Sequence, residues 1–122
     1  MGLAINSVVG RTLNQFHIHM SCINKAARDT LTSNVAKITT NKWTKISILN
    51  KQTYDVILLT DLTTNPFLIM RTVPGYSEAG LETLVVTGKP GTTNFYLLED
   101  YAHGLDKGAG EELLDQKCAT WP

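Results

Sequence analysis

The sequence predicts an α+β fold: a mainly antiparallel sheet with one central helix and a short C-terminal helix, forming a single domain over residues 1–122. Three observations predict it. Runs rich in β-branched and aromatic residues are joined by breaks too short for a crossover helix, so neighbouring strands must reverse direction. One longer stretch, from Asn24 to Ile38, carries apolar residues at helical spacing between strand-like runs. Finally, 122 residues are enough to bury roughly two thirds of the unfolded surface in one core, so size alone calls for no disulfide lattice or structural metal.

Taken in order, Leu3 to Asn6 reads as a short strand, and Ser7 to Leu13, with Gly10, as a turn-prone connection. A second strand is expected from about Asn14 to Ile23. Alternation puts Phe16, Ile18, Met20 and Cys22 on one face and Gln15, His17, His19 and Ser21 on the other. The apolar set is assigned to the core and the polar set to chemistry or solvent. With Asn24 as N-cap, Ala27, Leu31, Val35 and Ile38 predict a helix from Lys25 to Ile38. Trp43 to Leu49 and Thr53 to Thr60 read as paired strands around Asn50-Lys51-Gln52. Asp61 is the expected cap of a short helix over Pro66 to Arg71, which must end before Pro74-Gly75. Glu82 to Thr87 and Asn94 to Glu99 flank Gly88-Lys89-Pro90-Gly91-Thr92-Thr93, a hairpin connection. The closing helix is expected over Glu111 to Cys118, with acidic residues in its first turn and Lys117 near its end.

Eleven basic residues balance eleven acidic ones. That excludes the broad positive footprint that supplies most nucleic-acid affinity, so no nucleic-acid partner is expected and any phosphate chemistry must be local. No apolar run approaches the roughly 20 residues of a membrane helix. The opening Met1 to Asn6 has neither the basic start nor the long apolar stretch of a signal peptide, which leaves a cytoplasmic chain or one with a lost upstream segment.

Gln15-Phe16-His17-Ile18-His19-Met20-Ser21 contains two of the three histidines. On a strand, His17, His19 and Ser21 repeat at intervals of about 6.5 to 7 Å on one face. A lone strand histidine is more often structural, but two in one alternating run address one small region. Three chemistries fit. A shared metal ion lacks partners, because no Cys, Asp or Glu lies at short spacing on that face and His103 would have to arrive from a glycine-flanked loop. A two-histidine phosphoesterase needs a second His-x-Ser/Thr element, which His103-Gly104-Leu105 does not supply. Nucleophilic attack of an imidazole on phosphorus finds support in Asn6, Arg11, Thr12, Asn14 and Gln15, whose amides, hydroxyl and guanidinium suit phosphate oxygens. This chemistry requires no cofactor and no metal.

The run Asn6-Ser7-x-x-Gly10-Arg11-Thr12-x-Asn14-Gln15-Phe16-His17-Ile18-His19-Met20-Ser21-Cys22 resembles the signature of bacterial CDP-diacylglycerol pyrophosphatases, a branch of the histidine-triad superfamily. Asn65-Pro66-Phe67, Val73-Pro74-Gly75, Asn94 to Leu98 and Glu111 to Cys118 extend the likeness through nearly the whole chain, which corresponds to the later part of such proteins. The resemblance implies hydrolysis of CDP-diacylglycerol to CMP and phosphatidate. His19 would be the nucleophile forming a nucleotidyl-phosphohistidine and His17 would orient it. Ser21 stands where many relatives have a third histidine, and Asn6 and Asn14 would contact the reacting phosphate. Serine is a poor general acid, which suits a leaving group that departs as a phosphate monoester. Arg11 is added as a diphosphate contact on charge alone. The implied partner is a nucleotide-lipid substrate, with a membrane surface reached through it, and a homodimer is a further expectation. The alternative is an incomplete or non-catalytic domain that acts as a dimer or partner-binding module.

Two readings of Cys22 and Cys118 stay open: buried free thiols, or a disulfide closing a loop of about 100 residues, worth roughly 4 to 5 kcal/mol in the chain-entropy model and pointing to an extracytoplasmic address. Trp43, Tyr54, Phe67, Phe95 and Tyr96 read as packing residues.

Overall fold

Short polar breaks leave the chain little choice but to double back, and each pairing in the sheet is antiparallel. In this computed structural model residues 1–7, 18–48, 52–76, 82–101, 110–115 and 117–118 are described. They contain strands β1 (Gly2–Ile5), β2 (His19–Ile23), β3 (Thr44–Ser47), β4 (Thr53–Leu59), β5 (Glu82–Gly88), β6 (Phe95–Tyr101) and β7 (Leu114–Asp115), with helices α1 (Lys25–Ser33) and α2 (Pro66–Met70). The strands form one seven-stranded sheet in the order β3-β4-β6-β5-β1-β2-β7, so the α+β class with a mainly antiparallel sheet holds. No helix among the described residues is long and apolar enough to cross a membrane.

Both expected hairpins form. Ser47 pairs with Thr53 across the β3–β4 turn, and Gly88 with Phe95 across the β5–β6 turn. In the latter, Lys89 N–H donates to the Asn94 carbonyl at 2.9 Å, and Gly91 takes the positive φ of 75° that a side chain would resist.

The helices depart from expectation at their ends. Asn24 caps α1 as predicted, its Oδ1 accepting from Ala26 N–H at 2.8 Å. The helix stops at Ser33 rather than Ile38, because Asn34 turns its Nδ2 back onto the Thr30 carbonyl at 2.8 Å and Val35–Lys37 continue as a 3₁₀ turn. Ile38 still reaches the core, at 5% exposure. The cap of α2 is Asn65, not Asp61: Asn65 Oδ1 accepts from Phe67 N–H at 2.9 Å with Pro66 at the first helical position, whereas Asp61 Oδ1 accepts from Thr63 in a local turn. The expected closing helix over Glu111 to Cys118 is absent. Gly110–Leu113 make a 3₁₀ turn and Leu114–Asp115 pair with Ile23 and Cys22 as β7. Local charge favoured a helix there, but Leu113 and Leu114 are buried in the core, and pairing with β2 satisfies the backbone at the same time.

The main core lies on one face of the sheet. Ala27 and Leu31 of α1, Ile38, Leu113 and Leu114 close over Ala4, Ile23, Val56, Val85 and Leu98, with Tyr54 and Tyr96 buried among them. Tyr54 keeps its hydroxyl satisfied by donating to Glu112 Oε1 at 2.7 Å. The other face has a smaller cluster, in which Met70 and Ile69 of α2, Trp43 and Tyr76 cover Ile57, Leu84 and Leu97. This face also carries Glu82, Glu99 and Asp55 on adjacent strands, with Lys45 reaching Asp55 at 3.2 Å. Glu99 is 1% exposed. Burial pushes its carboxyl up to about 10, helped by a hydrogen bond to Glu82 and by the charges of Glu82 and Asp55.

Candidate functional site

β2 is held from both sides. β1 pairs with it through Ala4 and His19, Leu3 and Met20, and Gly2 and Ser21, and β7 pairs with its last two residues. Asn24 comes immediately after, its N–H donating to the Leu113 carbonyl at 2.7 Å, so α1 turns back over the face that Ile23 shares with Ser21 and His19. Ile23 is 3% exposed and Ala4, opposite His19, is fully buried.

This corrects the expected sidedness of the strand. Ile18 and Met20, assigned to the core, are 52% and 66% exposed, while His19 and Ser21 lie half-buried on the side covered by α1. Alternation separates two faces but does not say which one a helix will cover. Ile23 decides it here, because the apolar residue nearest the helix anchors the odd-numbered face. Cys22 shares the even-numbered face and is buried, joined to Cys118 by a disulfide with the Cα atoms 5.3 Å apart.

Ser21 has a definite partner. Its hydroxyl donates to the Asp115 carbonyl at 2.9 Å, tying β2 to β7. A hydroxyl has one proton, so in this arrangement Ser21 offers an approaching phosphate only lone pairs.

Beyond Ala4, β1 leads into Asn6 and Ser7, 2% and 0% exposed, an unusual pair of polar residues to bury at a strand end. Asn6 is two residues from Ala4, roughly 7 Å along the strand direction from the His19 row. Beside them, Thr83 Oγ1 donates to the Ile5 carbonyl at 2.5 Å and accepts from Gly110 N–H at 2.9 Å, joining β1, β5 and the 3₁₀ turn at one atom. Gly110 sits so close that a Cβ there would lie 2.7 Å from Thr83 Oγ1 and 2.6 Å from Val85 Cγ2. Only glycine lets the C-terminal segment come down onto the sheet at this point.

The structure therefore brings His19, Ser21 and Asn6 to the covered face near the start of β2. Arg11, Thr12, Asn14, Gln15 and His17 lie outside the described residues, as does His103. Thr83 and Gly110 were missed by sequence reasoning, and Ser7 stood in the signature without a role of its own. Gly110, which ends the Gly108-Ala109-Gly110 stretch, was the available signal for close backbone approach; a threonine in a β-rich run carries none. Among the described residues no three His, Cys, Asp or Glu side chains converge as metal ligands. A separate small cleft, lined by Ile23, Arg28, Leu31, Thr87 and Tyr96, lies at the Ile23 end of β2.

A half-buried imidazole beside buried amide and hydroxyl groups can act on a phosphate by nucleophilic or general-base chemistry. The family model for CDP-diacylglycerol pyrophosphatase matches residues 1–122. That match spans the whole chain and includes the asparagine, histidine and serine positions described above, so the chain belongs to the CDP-diacylglycerol pyrophosphatase family.

Proposed function

We propose that the protein splits the diphosphate of CDP-diacylglycerol through a covalent intermediate on His19, as a histidine-triad-like hydrolase. The family match over 1–122 carries this reading, together with the position of His19 at the start of β2, half-buried on the same face as Asn6. In the first step an imidazole nitrogen of His19 attacks the phosphorus of the cytidylyl group. An N–P bond forms, the P–O bond to the second phosphate breaks, and phosphatidate leaves with the electron pair. A phosphate monoester is a stable leaving group and needs little protonation, which fits a site whose serine proton is engaged by the Asp115 carbonyl. In the second step water attacks the same phosphorus, the N–P bond breaks, CMP departs and the imidazole is regenerated.

In this reading His17 orients the nucleophile. Asn6, Asn14, Gln15, Thr12 and Arg11 stabilise the phosphate oxygens as charge develops. Ser21 acts chiefly by holding β7 against β2, which fixes the row in which His19 stands.

The test is to mix the protein with CDP-diacylglycerol carrying label in the cytidylyl phosphate, quench, and look for an acid-labile phosphohistidine. His19→Ala should yield no adduct and lower CMP release by about a thousandfold or more. Undiminished release in that variant would overturn the proposal.

A further inference from the structure

The even-numbered side of β2 is apolar and open. Leu3 on β1, Met20 on β2 and Ile18 just before it are 36%, 66% and 52% exposed, an apolar patch left in solvent. α2 and its cluster cover this face over β4, β6 and part of β5, and stop short of β1 and β2. What remains is two adjoining grooves. One is lined by Leu3, Ile5, Ile18, Phe67, Leu84 and Val86. The second is lined by Met1, Leu3, Met20, Leu62, Val86 and Phe95. Leu3 and Val86 line both and form the ridge between them, and among the described residues no charged side chain lines either.

We infer that these two grooves hold the two acyl chains of the lipid substrate, one in each. The inference rests on the hydrolase reading above, since the family's substrate is a nucleotide joined to a two-chain lipid. Three observations support it. Apart from Met1, with its α-amino group, and Thr87 at the second groove, the linings are apolar and match hydrocarbon, not a head group or a peptide backbone. They are paired and share one wall, as two chains from one glycerol require. And Ile18, which lines the first groove, is the residue immediately before His19. The diphosphate site at His19 and the first groove thus meet at adjacent residues on opposite faces of the sheet, and the inference has the glycerol pass between the faces at this end of β2. Placing flexible chains there covers leucine and methionine surface that is otherwise left in water, a gain of roughly 25 cal/mol per Å².

The experiment compares CMP release from dioleoyl and dibutanoyl CDP-diacylglycerol, using Phe67→Asp for the first groove and Leu62→Asp for the second. Both residues are at the surface, 36% and 44% exposed, so a carboxylate can be placed there without entering the core. The ratio of kcat/KM for the long-chain substrate to that for the short-chain one should fall at least tenfold in each variant. Turnover of the dibutanoyl substrate shows that the variant is folded. An unchanged ratio overturns the inference, and so does an equal loss on both substrates. Binding of the fluorescent fatty acid cis-parinaric acid, displaced by dioleoylglycerol, provides a readout that needs no catalysis. If neither nucleotide substrate is hydrolysed but the probe binds and both variants lose it, the hydrolase reading fails and the grooves remain lipid sites. If hydrolysis proceeds with no chain-length preference and no probe binding, the grooves fail and the hydrolase reading remains. A dimer that both variants split to monomers would assign the face to a second copy of the chain and overturn the inference.

Discussion

The two faces of the sheet are built from the same strands by opposite rules. On one, Ile23, Val85 and Leu98 meet α1 and the C-terminal turn, and polar side chains such as Asn6 and Thr83 are buried with them. On the other, Leu3, Ile18 and Met20 stay in solvent although they are apolar, while Glu99 is nearly inaccessible although it is acidic. Composition alone would have exchanged these assignments. The difference teaches that the fate of a strand face is decided by the next element in the chain: a helix that turns back at Asn24 covers the histidine side whatever its polarity, and leaves the smoother side for something else to cover.

The largest effect on this contrast should come from the link between Cys22 and Cys118, which are 96 residues apart. Replacing both with alanine should lower stability by about 4 to 5 kcal/mol in the chain-entropy model, read by denaturant titration, and reductant should reproduce the loss in the unmutated protein but not in the variant. The faces should then separate cleanly in a pair of truncations. Leu31→Ala on the covered side should cost about 2 to 5 kcal/mol, whereas Met20→Ala on the open side should stay within about 0.5 kcal/mol. Equal costs would show that the open face is packed in solution.

Glu99 sharpens the comparison through pH. Its carboxyl titrates near 10 when folded, against an ordinary value of 4.5, so the native state holds a proton that the unfolded chain releases. Stability from this group is complete below about 4.5 and declines as pH rises toward 10, with a slope of up to about 1.4 kcal/mol per pH unit. Glu99→Gln, which needs no proton, should flatten that decline in thermal unfolding measured from pH 6 to 9. A variant with the same slope as the parent would show that the carboxyl is ionised in the folded state. Smallest is the cap of α1: Asn24→Ala should cost about 1 kcal/mol, since it leaves Ala26 N–H without its Oδ1 acceptor.

Local signals were legible wherever local chemistry decides. Asn24 announces α1, and Gly88 to Thr93 announce the β5–β6 turn, because capping and turn formation depend on a few adjacent residues. The His19 strand and the antiparallel class were readable for the same reason. Three things were not. Glu111 to Cys118 has the charge pattern of a helix, but Leu114 finds Ile23 and Cys118 finds Cys22, both far away in sequence. The sidedness of β2 depends on where α1 lands. The Thr83 junction requires β1, β5 and Gly110 together, and no window of sequence contains all three.

The strand order has a consequence in time. β1 lies between β2 and β5, and the Gly2 to Thr87 pairing joins residues 85 positions apart. During synthesis β1 and β2 can pair as soon as both are made, yet β1 gains its second neighbour only when β5 has emerged, and β2 gains β7 later still. Long-range pairings of this kind slow folding and leave intermediates with unpaired edges. The hairpins β3–β4 and β5–β6 can form ahead of it as a platform. Whatever His19 does, it does beside pairings that close only after β5 and β7 have been made.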